Sequence, residues 1–335
     1  MLEHGGRLRL AAAQFGMAQE DWLDLSTGLA PYVWPLPSFG PAIWSRLPEE
    51  DDGLEAIAAS YYGAAQALPV AGSQAAIQAL PQLFAPERVG ILEPCYAEHR
   101  HAWQRAGHAV MGLDRSEVAD LLDQLDVLVV VNPNNPTGTQ IDVETLLSWH
   151  ETLHRHGGYL IVDEAFADAA PENSLAAFSD RPGLMVLRSL GKFFGLAGVR
   201  LGFVLAEPGL LGALQRELGP WTVSGPARAA GKAVLADHTT QQLWRFRLQR
   251  DSQRLRSLLL EHGLNPEGGC ALFQWLPYAQ AAELHAALAR RGILVRLFEQ
   301  PVALRIGLPG SESDWQRLDA ALADIHLSQL ASSGL

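Results

Sequence analysis

The sequence predicts an α/β fold, with a mainly parallel seven-stranded sheet in a large domain and a smaller α/β domain after it. Three observations support this. Short apolar runs rich in β-branched residues alternate with helical patterns over residues 46–225, as a parallel sheet requires. Asn, Pro and Gly residues end several of these runs. Residues 265–327 repeat the alternation on a smaller scale.

The elements follow in chain order. Residues 1–45 are rich in Gly, Pro and Trp, and they predict an irregular N-terminal arm that joins the small domain. Residues 46–225 form the predicted large domain, and residues 226–335 supply linking helices and the small C-terminal domain. The strands predicted in the large domain are Ala67–Ala71, Arg88–Glu93, Ala109–Leu113, Val127–Val131, Tyr159–Val162, Leu184–Ser189 and Gly202–Ala206.

A helical stretch begins at Ser224, with Pro226 in its first turn, and continues with interruptions to His262. Its later part carries arginines on one face, which we interpret as a solvated face. The small domain then has predicted strands at Ala271–Leu276, Gly292–Val295 and Ala303–Gly307, and predicted helices at Ala279–Arg291 and Glu312–Gln329.

Composition narrows the functional class. Of the 335 residues 48% are hydrophobic, which is enough for a sizeable core, and the net charge of −12 argues against nucleic acid or an anionic membrane as a partner. There are two cysteines, Cys95 and Cys270, and no Cys/His spacing typical of zinc. The N-terminus lacks an apolar signal segment, and no apolar run reaches the length of a membrane span. We therefore expect a cytoplasmic protein.

Lys192 lies in the Gly-rich segment Ser189–Gly202, eight residues before Arg200. A lysine amine in such a turn can bond the aldehyde of pyridoxal 5′-phosphate (PLP). Ser189 and Arg200 can hold the phosphate of that cofactor, and glycines let the backbone approach it closely. The alternative for the lysine is a surface position in a loop.

Two upstream segments favour the PLP site. The apolar run Val127–Val131 ends in an Asn/Pro/Gly turn that contains Asn135, whose amide can face a ligand. The run Tyr159–Val162 is followed by Asp163, a carboxylate suited to the pyridine nitrogen of PLP, and by Glu164, which we expect to be structural. Ligands of open α/β sheets bind beyond the carboxyl ends of the strands, where all three segments are expected.

The order Asn135, Asp163, Lys192, Arg200 resembles the fold-type I PLP-dependent enzymes, the aspartate aminotransferase superfamily. The spacings are similar to its histidinol-phosphate aminotransferase branch. The resemblance implies that Lys192 bonds the cofactor, that Asp163 pairs with the ring nitrogen and that Asn135 binds the ring hydroxyl. It also implies a homodimer with active sites near the subunit boundary.

Further segments match the same superfamily. Gly72-Ser73-Gln74 forms a glycine turn before a helical pattern, which suits the cofactor phosphate, although an ordinary helix cap is the alternative. The segment Glu93–His99 resembles the one whose aromatic residue, here Tyr96, stacks on the cofactor ring; core packing is the alternative for this tyrosine. Arg305 stands where the superfamily binds the substrate α-carboxylate.

One departure changes the predicted reaction. Phe166 stands three residues after Asp163, where aminotransferases of the superfamily usually have a tyrosine. This feature, with His4-Gly5-Gly6-Arg7 and Trp22–Gly28, resembles the L-threonine O-3-phosphate decarboxylases of cobalamin biosynthesis. That resemblance implies release of CO2 from a small phosphorylated amino acid, giving (R)-1-amino-2-propanol O-2-phosphate. Leu47-Pro48 stands where aminotransferases of the superfamily often have Tyr-Pro, whose tyrosine normally reaches the cofactor phosphate of the partner subunit.

The predicted substrate carries two anionic ends. We expect Arg305 to bind the α-carboxylate with support from the Gly28 N–H group, and Arg296 to bind the phosphate, helped by His4; Asn135 is also expected near the substrate. The alternative for Arg296 is a local ion pair with Glu299. Two other functions stay open: an aminotransferase acting on a compound such as histidinol phosphate, and a non-catalytic PLP-binding relative.

Overall fold

The computed structural model describes residues 4–332, and their side chains as far as residue 325. Residues 1–3 and 333–335 of the predicted arm and C-terminal domain lie outside the described residues. The described chain forms two compact units. The large unit contains residues 33–135 and 139–245, and the small unit contains residues 4–32, 136–138 and 246–332. The predicted domain boundaries after residues 45 and 225 stay a prediction.

The helices and strands have the following bounds. The α-helices are α1 (Leu8–Phe15), α2 (Ala42–Ser45), α3 (Leu54–Tyr62), α4 (Ser73–Ala79), α5 (Glu98–Arg105), α6 (Val118–Leu121), α7 (Val143–His154), α8 (Leu190–Phe193), α9 (Pro208–Leu218), α10 (Gly225–Ala236), α11 (His238–Glu261), α12 (Ala281–Ala289) and α13 (Glu312–Ser332). The strands are β1 (Leu23–Asp24), β2 (Leu68–Val70), β3 (Arg88–Leu92), β4 (Ala109–Leu113), β5 (Val127–Val131), β6 (Tyr159–Asp163), β7 (Leu184–Ser189), β8 (Gly202–Leu205), β9 (Gly268–Cys270), β10 (Phe273–Pro277), β11 (Ile293–Leu294), β12 (Arg296–Glu299) and β13 (Val302–Gly307). Short 3₁₀ helices occupy Gln19–Asp21, Leu80–Leu83, Leu122–Gln124, Ala167–Ala169, Pro171–Asn173, Ala176–Phe178 and Ala197–Val199.

The sheet of the large unit has the strand order β2-β8-β7-β6-β5-β3-β4. The neighbouring strands among β3, β4, β5, β6 and β7 all pair in parallel. Strand β8 is antiparallel to both of its neighbours, β7 and β2. Strand β5 is buried along its whole length, as its unbroken Val and Leu sequence predicts for a parallel strand covered on both faces. All the strands predicted for the large domain are present, within two residues at their ends.

This strand order gathers one end of several strands at a single edge of the sheet. The parallel strands β5, β6 and β7 end there. Strand β2 runs in the same direction as β7, because β8 is antiparallel to both, so β2 also ends at this edge and β8 begins there. The segments that follow β2, β5, β6 and β7 therefore come together, as the general rule for open α/β sheets requires.

The small unit contains an antiparallel sheet in the order β12-β13-β10-β9, and a separate parallel pair of β1 with β11. Strands β1, β9 and β12 were not predicted from sequence: β1 has two residues, β9 is a glycine-rich edge strand, and β12 follows β11 after one residue, so none shows a clear apolar alternation. The N-terminal arm was predicted to be irregular, but it contains the helix α1. Ala11 of α1 packs in a cluster with Trp22 and Ala289.

The arginines of α11 contact other side chains as well as solvent. Arg254 donates two hydrogen bonds to Glu312 at 2.8 and 2.7 Å, and the Arg247 guanidinium lies 3.3 Å from the centre of the Tyr32 ring. The predicted solvated face is thus partly used for packing within the small unit. No helix in residues 4–332 combines the length and the apolar character needed to cross a membrane.

Candidate active site

Asp163 is the last residue of β6, and its carboxylate is held from two sides. The residue is 3% exposed. One carboxylate oxygen lies 2.9 Å from Nε2 of His99, and the other accepts a hydrogen bond of 3.0 Å from the Ala165 N–H group. The carboxylate is therefore fixed in orientation before any ligand binds. His99 was not among the predicted site residues, although it lies three residues after Tyr96 in the segment Glu93–His99.

Lys192 belongs to α8, the short helix that follows β7. Its side chain is half-buried, and Nζ lies 5.3 Å from the centre of the Phe166 ring. An ammonium group over an aromatic face is stabilised by the ring quadrupole. Phe166 is buried, so its ring is held in place beside the lysine. Lys192 and Lys232 are the only lysines of the sequence, and Lys232 is paired with Asp52 at 2.9 Å.

A glycine turn brings three segments into close contact. Gly72 has φ +76°, and a Cβ at this position would lie 2.6 Å from Nη2 of Arg200. A Cβ at Gly202 would lie 2.5 Å from the Ser73 nitrogen. Only glycine permits these approaches. The Arg200 guanidinium thus lies on the turn where α4 begins, and the first N–H groups of a helix have no acceptor within it.

Replacing Gly72 by alanine should weaken the retention of an anionic ligand at this turn. The added methyl group would displace the Arg200 guanidinium and strain the left-handed backbone, so we expect about 10-fold or greater loss of PLP affinity, the scale of a charge-assisted hydrogen bond. Fluorescence titration of the apoprotein measures this. Gly198→Ala is the matched control, because a Cβ there meets no atom within 4 Å. Equal affinities of the two variants would contradict the assignment.

Asn135 lies four residues beyond β5, in a loop fixed by two other asparagines. Asn132 exchanges side-chain hydrogen bonds with the backbone of Ile141, at 3.0 and 2.8 Å. The Asn134 amide donates to the Pro94 carbonyl at 3.0 Å. These bonds hold the loop at the edge where β5 and β6 end. Asn135 is the half-buried member of this asparagine-rich segment.

A buried ion network lies behind the site. Arg188 donates to Glu164 at 2.6 Å and to Asp168 at 2.9 Å, and its guanidinium lies 4.6 Å from the centre of the Tyr62 ring. Glu164 also accepts from the Leu175 N–H group at 2.7 Å. Although burial alone lowers the pKa of Arg188, the two carboxylates raise it well above its usual value. The structure thus gives Glu164 the structural role expected for it.

Cys95 lies beside Tyr96 but is unsuited to nucleophilic chemistry. Burial, reinforced by the carboxylate of Glu93, raises the pKa of the Cys95 thiol to about 12. The thiolate is the reactive form of cysteine, so this side chain stays inert near neutral pH. Its packing against the sheet accounts for its presence.

The small unit contains four of the residues predicted to bind substrate: His4, Gly28, Arg296 and Arg305. Arg296 and Arg305 are direct cross-strand partners in β12 and β13, so their side chains share one face of the sheet. Arg305 is 6% exposed and donates to the Ser26 carbonyl at 2.7 Å, two residues before Gly28. The Ser26 hydroxyl accepts from the Gly6 N–H group at 2.7 Å, which places the loop after His4 against the same segment.

Comparison with known proteins identifies the family. The model of the aminotransferase class I and II family matches residues 50–322. The chain belongs to the class I and II aminotransferase family. Among other members, the threonine-phosphate decarboxylase of Pseudomonas aeruginosa is 60% identical over 96% of this chain and 97% of that protein. The threonine-phosphate decarboxylase of a Sinorhizobium species is 42% identical over 97% and 98%.

Solved structures of the aminotransferase family confirm the predicted fold. The histidinol-phosphate aminotransferase of Sinorhizobium meliloti, crystallised with pyridoxal-5′-phosphate, superposes with a TM-score of 0.82 at 20% identity, covering 98% of this chain and 96% of that one. The fold is that of fold-type I PLP-dependent enzymes, as predicted. Membership of an aminotransferase family describes ancestry and architecture, and the reaction has to be argued from the site.

Proposed function

We propose that this protein is a PLP-dependent decarboxylase that acts on L-threonine O-3-phosphate. The observation that carries the proposal is the 60% identity, over nearly the full length, with a threonine-phosphate decarboxylase. The site geometry supports it, since a fixed carboxylate, a lysine and an anion-binding turn lie at one edge of the sheet in the large unit. The small unit adds two arginines suited to an anionic substrate.

The large unit fits PLP on its own geometry. Gly72 and Gly202 leave room that a Cβ would fill, next to Arg200 and the Ser73 nitrogen, and this suits a phosphate group. Asp163, held by His99, suits a protonated ring nitrogen. Ser189 and Asn135 supply further polar groups at the same edge. When bound, PLP supplies an electron-withdrawing ring that stabilises negative charge at the substrate Cα.

The residues of the large unit then have separate tasks. Asp163 keeps a proton on the ring nitrogen, because its negative charge favours the cationic form of that nitrogen. Lys192 would hold the cofactor through its amine and would supply the proton that the substrate Cα needs. Phe166 provides an apolar face beside Lys192 and has no hydroxyl group to offer the ring. Tyr96 would pack against the cofactor ring.

The two arginines of the small unit define the substrate class. Like charges directly opposite each other on a sheet are unfavourable, so Arg296 and Arg305 on one face favour a ligand with two negative groups. We assign the α-carboxylate to Arg305, with the Gly28 N–H group, and the phosphate to Arg296 with His4. A guanidinium fork matches both anions.

The proposal extends to the cellular location, the oligomeric state and the pathway of this protein. The protein acts in the cytoplasm as a homodimer, on a small phosphorylated amino acid, and its product enters the aminopropanol arm of cobalamin biosynthesis. Sedimentation of the purified holoprotein measures the oligomeric state; a monomer that is fully active would contradict the homodimer.

Variants of the two arginines test the substrate assignment. Arg296→Gln should raise the KM for L-threonine O-3-phosphate about 10- to 100-fold, because one charge-assisted hydrogen bond to the phosphate is lost. Turnover of L-threonine itself should change little in this variant. Arg305→Gln should impair both substrates, since both carry the carboxylate. The exposed Arg290 serves as a control, and Arg290→Gln should match the unaltered protein. An equal effect of Arg296→Gln on both substrates would contradict the phosphate assignment.

The competing function is an aminotransferase on a phosphorylated amino compound, favoured by the fold shared with histidinol-phosphate aminotransferase. The two reactions differ in their need for a keto acid. Incubation with PLP and L-threonine O-3-phosphate alone should give many turnovers of CO2 release per active site. Amino transfer from histidinol phosphate to 2-oxoglutarate, without CO2 release, would establish the aminotransferase instead.

A further inference from the structure

A chain of hydrogen bonds connects the glycine turn to the predicted ring-stacking tyrosine. The Tyr96 hydroxyl donates to Oε1 of Gln74 at 3.0 Å, and Nε2 of Gln74 donates to the Glu98 carboxylate at 3.0 Å. Gln74 is the second residue of α4, directly after Ser73. We call Glu98, Gln74 and Tyr96 the Gln74 relay. Both ends of the Gln74 amide are therefore engaged with side chains of the protein.

The relay fixes the direction of each hydrogen bond. An ionised carboxylate only accepts, so Glu98 selects the NH2 end of the Gln74 amide. The carbonyl end must then face Tyr96, whose hydroxyl has to donate. This leaves one orientation for the amide and one preferred direction for the phenol. The phenol oxygen lies on the long axis of the ring and its O–H group prefers the plane of the ring, so an acceptor at a fixed position favours one ring plane.

The relay also leads to the buried carboxylate. The rings of Tyr96 and His99 meet edge to face, with centroids 6.2 Å apart and an interplanar angle of 83°. His99 in turn contacts Asp163 at 2.9 Å. The glycine turn, the stacking ring and the carboxylate for the ring nitrogen are thus joined by consecutive contacts within the large unit.

We propose that Gln74 is a positioning residue, whose side chain sets the plane of the Tyr96 ring against the cofactor while its backbone forms the glycine turn. This inference rests on the proposed PLP site and deepens it. Gln74 acts through Tyr96, so its effect should vanish when the Tyr96 hydroxyl is absent. A role in folding alone would persist in that background.

A double-mutant cycle on PLP binding tests the proposal. Gln74→Met keeps the length of the side chain and removes both hydrogen bonds. We expect it to raise the PLP dissociation constant about 2- to 10-fold, the range for one hydrogen bond, and to change the visible circular dichroism of the bound cofactor. Tyr96→Phe should have a similar effect. The double variant should be no weaker than the weaker single variant, because both changes remove the same contact.

Gln78→Met is the matched control. Gln78 also donates to Glu98, at 3.1 Å, and lies one helical turn further along α4. Its side chain is not part of the Gln74 relay. It should leave PLP affinity and circular dichroism unchanged. Multiplicative effects in the double variant, or equal effects of Gln74→Met and Gln78→Met, would overturn the proposal. If the unaltered protein binds no PLP, the proposed function fails instead, so the two failures are distinguishable. Thermal unfolding of each apoprotein checks that the variants fold.

Discussion

Lys192→Ala is expected to lower the rate of CO2 release from L-threonine O-3-phosphate by about 10³-fold or more, the scale of an essential acid–base group. The loss should be this large because, in the proposed function, one amine would both hold the cofactor and supply the proton for the substrate. PLP should still bind weakly, held by the glycine turn and Asp163. The visible absorbance of the holoprotein should shift to that of the free aldehyde.

Because the sequence has only two lysines, the lysine that bonds the cofactor can be identified directly. Lys232 is the only other lysine, and it is tied to Asp52 at 2.9 Å. Borohydride reduction of the holoprotein, followed by peptide mass analysis, should therefore place the cofactor mass on Lys192 alone. Lys232→Arg, which keeps the ion pair, should leave the labelling and the activity intact. Cofactor mass on Lys232, or undiminished CO2 release from Lys192→Ala, would contradict the assignment.

Arg188→Ala is expected to lower the free energy of unfolding of the apoprotein by about 3–5 kcal/mol, the usual cost of breaking a buried ion pair from one side. The substitution leaves Glu164 and Asp168 buried without their shared counter-ion, and it opens a cavity beside Tyr62. Urea unfolding followed by circular dichroism measures the change. Arg188→Lys, which keeps the charge but loses the planar fork, should recover part of the loss.

An exposed ion pair supplies the comparison. Arg181 lies 3.7 Å from Glu151, and the two side chains are 38% and 68% exposed. Arg181→Ala should cost less than about 1 kcal/mol, because exposed pairs are screened by water. If Arg188→Ala were no more destabilising than Arg181→Ala, the buried network would contribute little to the stability of the large unit.

The large sheet was predictable because its strands carry a strong local signal. Val127–Val131 and Leu184–Ser189 are apolar runs with turn residues beyond them, and burial on both faces leaves no polar alternation to confuse the pattern. The helix Leu8–Phe15 was missed, although Leu8, Ala11 and Phe15 have helical spacing. Its surroundings, rich in Gly, Pro and Trp, outweighed this short periodicity.

The site was predictable only where a residue type has one chemical use at its position. Asp163 ends β6, Lys192 follows the end of β7 by three residues, and both carry groups that PLP needs, so their order in the sequence was sufficient to propose them. His99 of α5 contacts Asp163 of β6, and the Gln74 relay joins α4 to Tyr96 and to Glu98 of α5. Local patterns hold no information about such contacts. The same holds for Arg188, a charged residue inside the otherwise apolar strand β7, whose partners Glu164 and Asp168 lie in the segment after β6.

The most direct test of the proposed function follows the substrate carboxyl carbon. The holoprotein is incubated without any keto acid, using L-threonine O-3-phosphate labelled with carbon-13 at C1. The account predicts that the label appears wholly as CO2, with one equivalent of unlabelled 1-amino-2-propanol phosphate for each substrate consumed. Retention of the label in a keto acid, with the amino group left on the cofactor, would show amino transfer and contradict the proposed decarboxylase.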